Sequence, residues 1–188
     1  MADNERIIVV GAGPAGLTAA LCVAAAGVPV TVFEAEAQLT IDLRAGSYHP
    51  PTLEMLAPYG ITDRMHEHGV IVPCWQIRDR EEGLLAEFDL SLLKDDTPYP
   101  YRLHLEQHKL TPMLLAAARK FSHFDIHFAT PVTAVRQDAD GVTVTVDGPA
   151  GRQQETGSHL IGADGHHSIV RDAMGAEFEG FTWPELFL

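Results

Sequence analysis

Cysteine is scarce in this chain of 188 residues, which carries only Cys22 and Cys74. Cys22 sits in an Ala-rich stretch and Cys74 beside Trp75, which is no disulfide framework. No apolar run reaches the roughly 18 residues a membrane span needs. Met1–Arg6 is polar and leads straight into a strand-like run, so no signal peptide is expected and the reading is a reducing, cytoplasmic compartment. Basic residues are few as well: 13 Lys and Arg stand against 26 Asp and Glu, a net charge of −13. An acidic surface repels nucleic acid and anionic lipid, which excludes both as expected partners. Repeats and low-complexity linkers are missing.

What remains is globular in composition, with 46% hydrophobic and 21% charged residues. The length suits one domain, or one and a small part of another. Arg6–Val10 (RIIVV) is a short apolar run of the kind buried on both faces of a parallel sheet. An Ala-rich helix over Leu17–Ala26 ends at Gly27, and Val30–Phe33 reads as a second buried strand. Together they form a strand–helix–strand unit of about 30 residues. Beyond it, a loop through Arg44–Pro51 precedes helices over Thr52–Tyr59 and Thr62–His68. Trp75–Asp79 and Leu84–Asp89 read as a hairpin. A helix over Leu110–Phe121 and a strand over Asp125–Phe128 follow. Val132–Gln137 and Val142–Asp147 form a second hairpin, which Arg152–Thr156 extends. His159–Ile161 reads as a buried strand, and Ser168–Met174 as a last helix.

The chemistry-bearing motif is Gly11-Ala-Gly13-Pro14-Ala15-Gly16, a G-x-G-x-x-G run between a buried strand and a helix. Gly11 permits the sharp turn, Gly13 lets a pyrophosphate approach the backbone, and Gly16 lets helix and strand pack closely. The helix N-terminus offers N–H groups and partial positive charge to phosphates. Glu34, followed by Ala35, stands at the end of the second strand, about 20 residues beyond the fingerprint, where a carboxylate accepts from a ribose diol. It argues against a 2′-phosphate on the bound adenosine and leaves NAD and FAD both open. A simple NAD dehydrogenase would continue with a helix and a third parallel strand. Here the long stretch from Ala35 to Ser158, hairpins included, intervenes before the next buried strand.

Three features together resemble the class A flavoprotein aromatic hydroxylases, the p-hydroxybenzoate and phenol hydroxylase family. They are the fingerprint with Glu34; Arg44 followed by Pro50-Pro-Thr-Leu-Glu-Met-Leu56; and Leu160-Ile-Gly-Ala-Asp-Gly-His-His-Ser-Ile-Val-Arg171. The last, an Asp-Gly turn running into Ser-x-Val-Arg, is the most specific. The resemblance implies a Rossmann-like α/β FAD-binding domain of the glutathione-reductase and aromatic-hydroxylase type, with an inserted β-hairpin region. It implies FAD as cofactor, NADH or NADPH as electron donor, and hydroxylation of a small aromatic substrate with O₂. Arg44 would contact the FAD phosphates, Gln107 the sugar or ribityl region, and Val132 would offer backbone to the adenine. Asp164 and Gly165 would lie near the pyrophosphate, with Asp164 helping to position Arg44. The FAD-binding domain is expected over 1–72 and 104–175, with parts of a substrate domain over 73–103 and 176–188.

The family's third signature, a Gly-Asp-x-x-His run, has no counterpart, because no Gly-Asp dipeptide occurs in the sequence. Members are about twice as long, so the chain reads as truncated, with a homodimer or a missing C-terminal half as the expected partner. No residue is assigned as catalytic acid or base. The ten histidines do not combine into a metal site: His66 and His68 diverge on a helix, His166 and His167 lack a third ligand, and His104 and His108 would share a face only if both were helical. Tyr99, Tyr101 and Trp75 read as packing residues, and Arg171 as a structural ion-pair former. Other readings are a different FAD enzyme on the same scaffold, such as an epoxidase or reductase, and a non-catalytic FAD-binding module. A halogenase is disfavoured by the lack of Trp-x-Trp-x-Ile-Pro.

Overall fold

The computed structural model describes residues 5–41, 46–182 and 184. In chain order the elements are β1 (Ile7–Val10), α1 (Pro14–Ala25), β2 (Val30–Phe33), β3 (Ser47–Tyr48), α2 (Pro50–Leu56), α3 (Ile61–His68) and β4 (Val70–Val72). There follow β5 (Cys74–Asp79), β6 (Gly83–Asp89), β7 (Arg102–His104), α4 (Gln107–Ala118) and β8 (Phe124–His127). The chain continues with β9 (Val132–Asp138), β10 (Gly141–Gly148), β11 (Gly151–Gly157), β12 (His159–Gly162) and α5 (Ile169–Ala173).

A four-stranded parallel sheet in the order β12-β1-β2-β8 forms the centre. The central strands β1 and β2 are apolar because both faces are covered, whereas the edge strands β12 and β8 carry exposed polar residues such as His159 and Asp125. On one face Val9 and Val32 join Leu17, Leu21 and Ala24 of α1 and Leu110, Leu114 and Ala118 of α4. On the other, Ile8, Val10 and Phe33 meet Val142, Val144 and Val146 of β10 and Val170 of α5. The result is helices, parallel sheet and antiparallel sheet β11-β10-β9, stacked in three layers. A small sheet, β3-β7-β4, and the isolated hairpin β5–β6 complete the structure.

The predicted fold class, both hairpins and the parallel-sheet strands are present. Several boundaries need correction. The first helix begins at Pro14, not Leu17, because proline's fixed φ suits the first helical position. The helix expected from Leu110 begins at Gln107 and ends at Ala118. The segment read as a loop from Arg44 to Pro51 contains β3. Strands β4 and β7 were not expected; each is three residues long, too short for a periodicity to register. His104 therefore lies on a strand and His108 on a helix, so the two share no helix face.

Candidate cofactor site

The strand order places a switch point at the carboxyl ends of β1 and β12, since the chain leaves β1 toward β2 on one side and returns as β12 on the other. Ligands of open α/β sheets bind there. The ladder runs on past both strand ends: the Gly11 N–H donates to Phe33 O at 2.8 Å, and the Ala163 N–H to Val10 O at 2.8 Å. Gly11 turns with φ of +99°, and a Cβ on it would stand 2.4 Å from Ala163 O. On Gly16 a Cβ would stand 2.0 Å from Gly11 O. The turn between β1 and α1 is thus tight enough that only glycine fits either position. Gly13 differs: nothing lies within 4 Å of where its Cβ would be. That open face borders the N-terminus of α1, which no side chain caps and which carries no acidic residue in its first turn. Free N–H groups and positive potential are thereby left for an anion.

Glu34 completes this corner. Its Oε2 accepts from the Ala12 N–H at 2.6 Å and its Oε1 from the Glu36 N–H at 2.9 Å. The Thr130 N–H donates to Glu34 O at 2.8 Å, and the Ala129 N–H to Glu36 O at 2.8 Å. These bonds fold the segment leading into β9 against the end of β2. Opposite, Asp164 accepts from the Ser168 hydroxyl at 2.6 Å and from the Val170 N–H at 3.2 Å. Ser168 in turn accepts from the Arg171 N–H at 3.0 Å and caps α5.

A cleft of about 350 Å³ results, lined by Gly11, Gly13, Glu34, Ala35, Val132, Asp164 and Gly165, among others. Seven of the expected site residues, scattered from one end of the sequence to the other, are brought together. Pro14, Ala15 and Gly16 form the first turn of α1 beside the cleft and do not line it. Gln107 opens α4 and is likewise not in its wall. Arg44 lies outside the described residues. Thr40, Pro131 and His167 line the cleft without having been singled out. Pro131 immediately adjoins the assigned Val132 and His167 lies two residues beyond the assigned Gly165, so extending the assignment along the chain was the available signal. Thr40 carried none.

The other sequence readings divide as follows. The Arg171 guanidinium donates to His166 O at 2.9 Å, pairs with Asp172 at 3.4 Å and lies over the Phe178 ring, a structural role. His66 Nε2 is 2.7 Å from the Tyr101 hydroxyl, whose ionisation burial pushes up. Among the described residues no group of three or more His, Cys, Asp or Glu could hold a metal. Nor is any described helix long and apolar enough to cross a membrane. Cys22 and Cys74 are both free.

Fold and cleft define a dinucleotide-binding α/β module. The model of the family described as "FAD binding domain" matches residues 4–185. Para-nitrophenol 4-monooxygenase of Pseudomonas sp. (strain WBC-3) is 35% identical over 185 residues, 98% of this chain and 46% of that protein. The 6-hydroxy-3-succinoylpyridine 3-monooxygenase of Pseudomonas putida is 35% identical over 191 residues, all of this chain and 48% of that protein. The crystal structure of p-nitrophenol 4-monooxygenase from Pseudomonas putida superposes with a TM-score of 0.90 at 36% identity, over 96% of this chain and 46% of that one. An aklavinone-11 hydroxylase, solved as a ternary complex with FAD and aklavinone, superposes at 0.81 with 34% identity, over 93% of this chain and 36% of that one. The chain belongs to the FAD-binding aromatic monooxygenase family. It spans about half the length of these two curated relatives.

Proposed function

We propose that this chain supplies the FAD-binding part of a monooxygenase that hydroxylates a phenolic or other aromatic ring with O₂, using NADH or NADPH as reductant. The observation that carries the reading is the cleft at the β1–β12 switch point, where Gly13 leaves its face open between Glu34 and the Asp164–Gly165 turn. The residues fit FAD. The Glu34 carboxylate, already oriented by two backbone N–H groups, keeps lone pairs for a ribose diol. Gly11, Gly13 and the first turn of α1, Pro14–Gly16, serve the pyrophosphate. Ala35 and Val132 border the adenosine end, and Asp164 and Gly165 close the opposite wall. Gln107 and Arg44 serve the sugar and phosphate region further along the cofactor.

When bound, FAD supplies the redox and oxygen chemistry; the protein binds and orients it. Residues 1–72 and 104–175 make the FAD-binding domain in this proposal, and 73–103 with 176–188 belong to the substrate side. The partner is a small aromatic molecule, and the compartment the cytoplasm. The −13 net charge disfavours nucleic acid.

Titration of FAD with the purified chain, followed by flavin fluorescence, tests this reading. One-site saturation that AMP competes away is expected, because both ligands would use the Glu34 corner. Saturation by NADH with no response to FAD would identify a nicotinamide-binding module instead.

A further inference from the structure

A second cavity, of about 520 Å³, lies apart from the cofactor cleft and shares no lining residue with it. Helix α5 contributes to both: Ile169 lines the cleft and Val170 the cavity. The other walls are the β9–β10 turn over 138–142 and the start of β12, with Ser158 before it. Three glycines shape this space. Gly141 turns the hairpin with φ of +143°, a conformation that favours glycine. A Cβ on Gly157 would stand 2.6 Å from Arg6 O, so β11 ends hard against the entry to β1. The Ser158 N–H donates to the same Arg6 O at 2.9 Å and turns the chain into β12. A Cβ on Gly162 would stand 2.8 Å from Val170 Cγ1, so its absence lets α5 close down on β12.

The floor of the cavity is apolar. Val142 and Val170 are buried there, and Val135 and Leu160 are half-buried. The charged groups on the rim are Asp138 and Asp140, with His159 beside them and no lysine or arginine among the described lining residues. Asp138 Oδ1 accepts from the Asp140 N–H at 2.9 Å, which fixes that carboxylate in the turn and leaves its second oxygen to accept from a ligand. An apolar floor with a few polar groups is the composition of a small-ligand site, and the volume lies within the ordinary range of about 300–1,000 Å³. The rim selects a cation. Among the described residues no group of three or more His, Cys, Asp or Glu could hold a metal, so the cation that fits is one with an apolar body.

We propose that this cavity binds an organic ammonium ion, an alkyl- or arylamine, with its ammonium group toward Asp138 and Asp140 and its hydrocarbon against Val142, Leu160 and Val170. The −13 net charge of the chain favours the approach of any such cation. The site stands independently of the flavin reading, because it shares neither residues nor ligand chemistry with the cofactor cleft.

Backbone amide signals of the chain, followed by NMR during titration at low salt and neutral pH, test it. The probes are 2-phenylethylamine and 2-phenylethanol, which has the same ring and chain with a hydroxyl in place of the ammonium group. The amine is expected to shift the amides of Gly141, Val142, Leu160 and Val170. It should bind about fivefold more tightly than the alcohol, the scale of an exposed charge pair. Raising the salt to about 0.5 M should at least halve that preference by screening. Asp138→Asn/Asp140→Asn keeps the side-chain shapes and the acceptor for the Asp140 N–H, and in this variant the preference is expected to fall to about unity. Equal binding of the two probes, an unchanged preference in the variant, or amine shifts confined to Gly11–Gly13 and Glu34 in the other cleft would overturn the proposal.

Discussion

The central strands of the parallel sheet and the hairpin β5–β6 both carry large apolar side chains, yet they stand at opposite extremes of burial. Every residue of β2 is buried, as are Ile8, Val9 and Val10 of β1. On the hairpin, Trp75, Ile77, Leu84, Leu85 and Phe88 are all exposed, Leu85 to 54%. Among the described residues the hairpin pairs with no other strand, while Trp75 packs on Phe88 and the Arg102 guanidinium lies over the Trp75 ring. Apolar content alone does not decide burial; the layers above and below a strand do. The cofactor cleft sits where the enclosed strands end, because only a rigid frame holds Gly13, Glu34 and Asp164 in fixed relation.

The contrast can be broken hardest at the turn between β1 and α1. Gly16→Val places a side chain where even a Cβ would be 2.0 Å from Gly11 O, so urea unfolding should show a loss above about 4 kcal/mol. Gly13→Ala, with free space around it and φ of −68°, should leave stability within about 0.5 kcal/mol of the parent while weakening FAD binding. A parent-like midpoint for the first variant would mean that helix and strand are not in close contact.

Leu17 and Leu85 sharpen the same comparison. Leu17 of α1 is completely buried, and Leu17→Ala should cost about 2–5 kcal/mol by chemical denaturation. Leu85→Ala on the hairpin should change stability by no more than about 0.5 kcal/mol. Similar losses at the two positions would show that the hairpin face is covered in solution.

A third effect concerns binding more than folding. Glu34→Ala removes the acceptor for the Ala12 and Glu36 N–H groups and for the proposed ribose contact. FAD affinity should fall by about 1–3 kcal/mol, read by flavin fluorescence. An unchanged affinity would place the adenosine elsewhere.

The smallest effect lies on the solvent side of the antiparallel sheet. Arg152 forms two bonds of 2.8 Å to Asp147, and the first of its effects there, the side-chain hydrogen bond, lowers the aspartate's ionisation. A depressed carboxylate contributes stability above its unfolded ionisation range, and that contribution is lost as the pH falls through the folded one. Arg152→Gln should therefore lower neutral-pH stability only slightly, because the pair is exposed, and the difference from the parent should disappear as the pH falls through the folded ionisation range of Asp147. A large loss at neutral pH would contradict that assignment.

Legibility followed the range of the interactions. The fingerprint turn could be read because each glycine answers a local steric demand, and the last helix was placed to within a residue, although only the structure shows Ser168 as its cap. Strands β3, β4 and β7 could not, since Ser47–Tyr48, Val70–Val72 and Arg102–His104 are strands only through pairing with one another. Gln107 and Val132 came from the family resemblance. Val132 reached the cleft because Thr130 bonds back to Glu34 O, while Gln107 stands at a helix start outside the cleft wall.

By itself, then, the sequence determined the parallel strands, the helices around them, the anion-ready turn at Gly11–Gly16 and the acidic residue after β2. These follow from local backbone sterics and from hydrophobic runs that must be buried. Only the tertiary structure decided that Ala163–Gly165 faces Gly11–Gly13, that Pro131 and His167 share their cleft, and that Gly157 and Gly162 gather the β9–β10 turn, β12 and α5 around a second cavity. Those relations join residues far apart in the chain, and they are fixed by strand order and close packing, which no local pattern encodes.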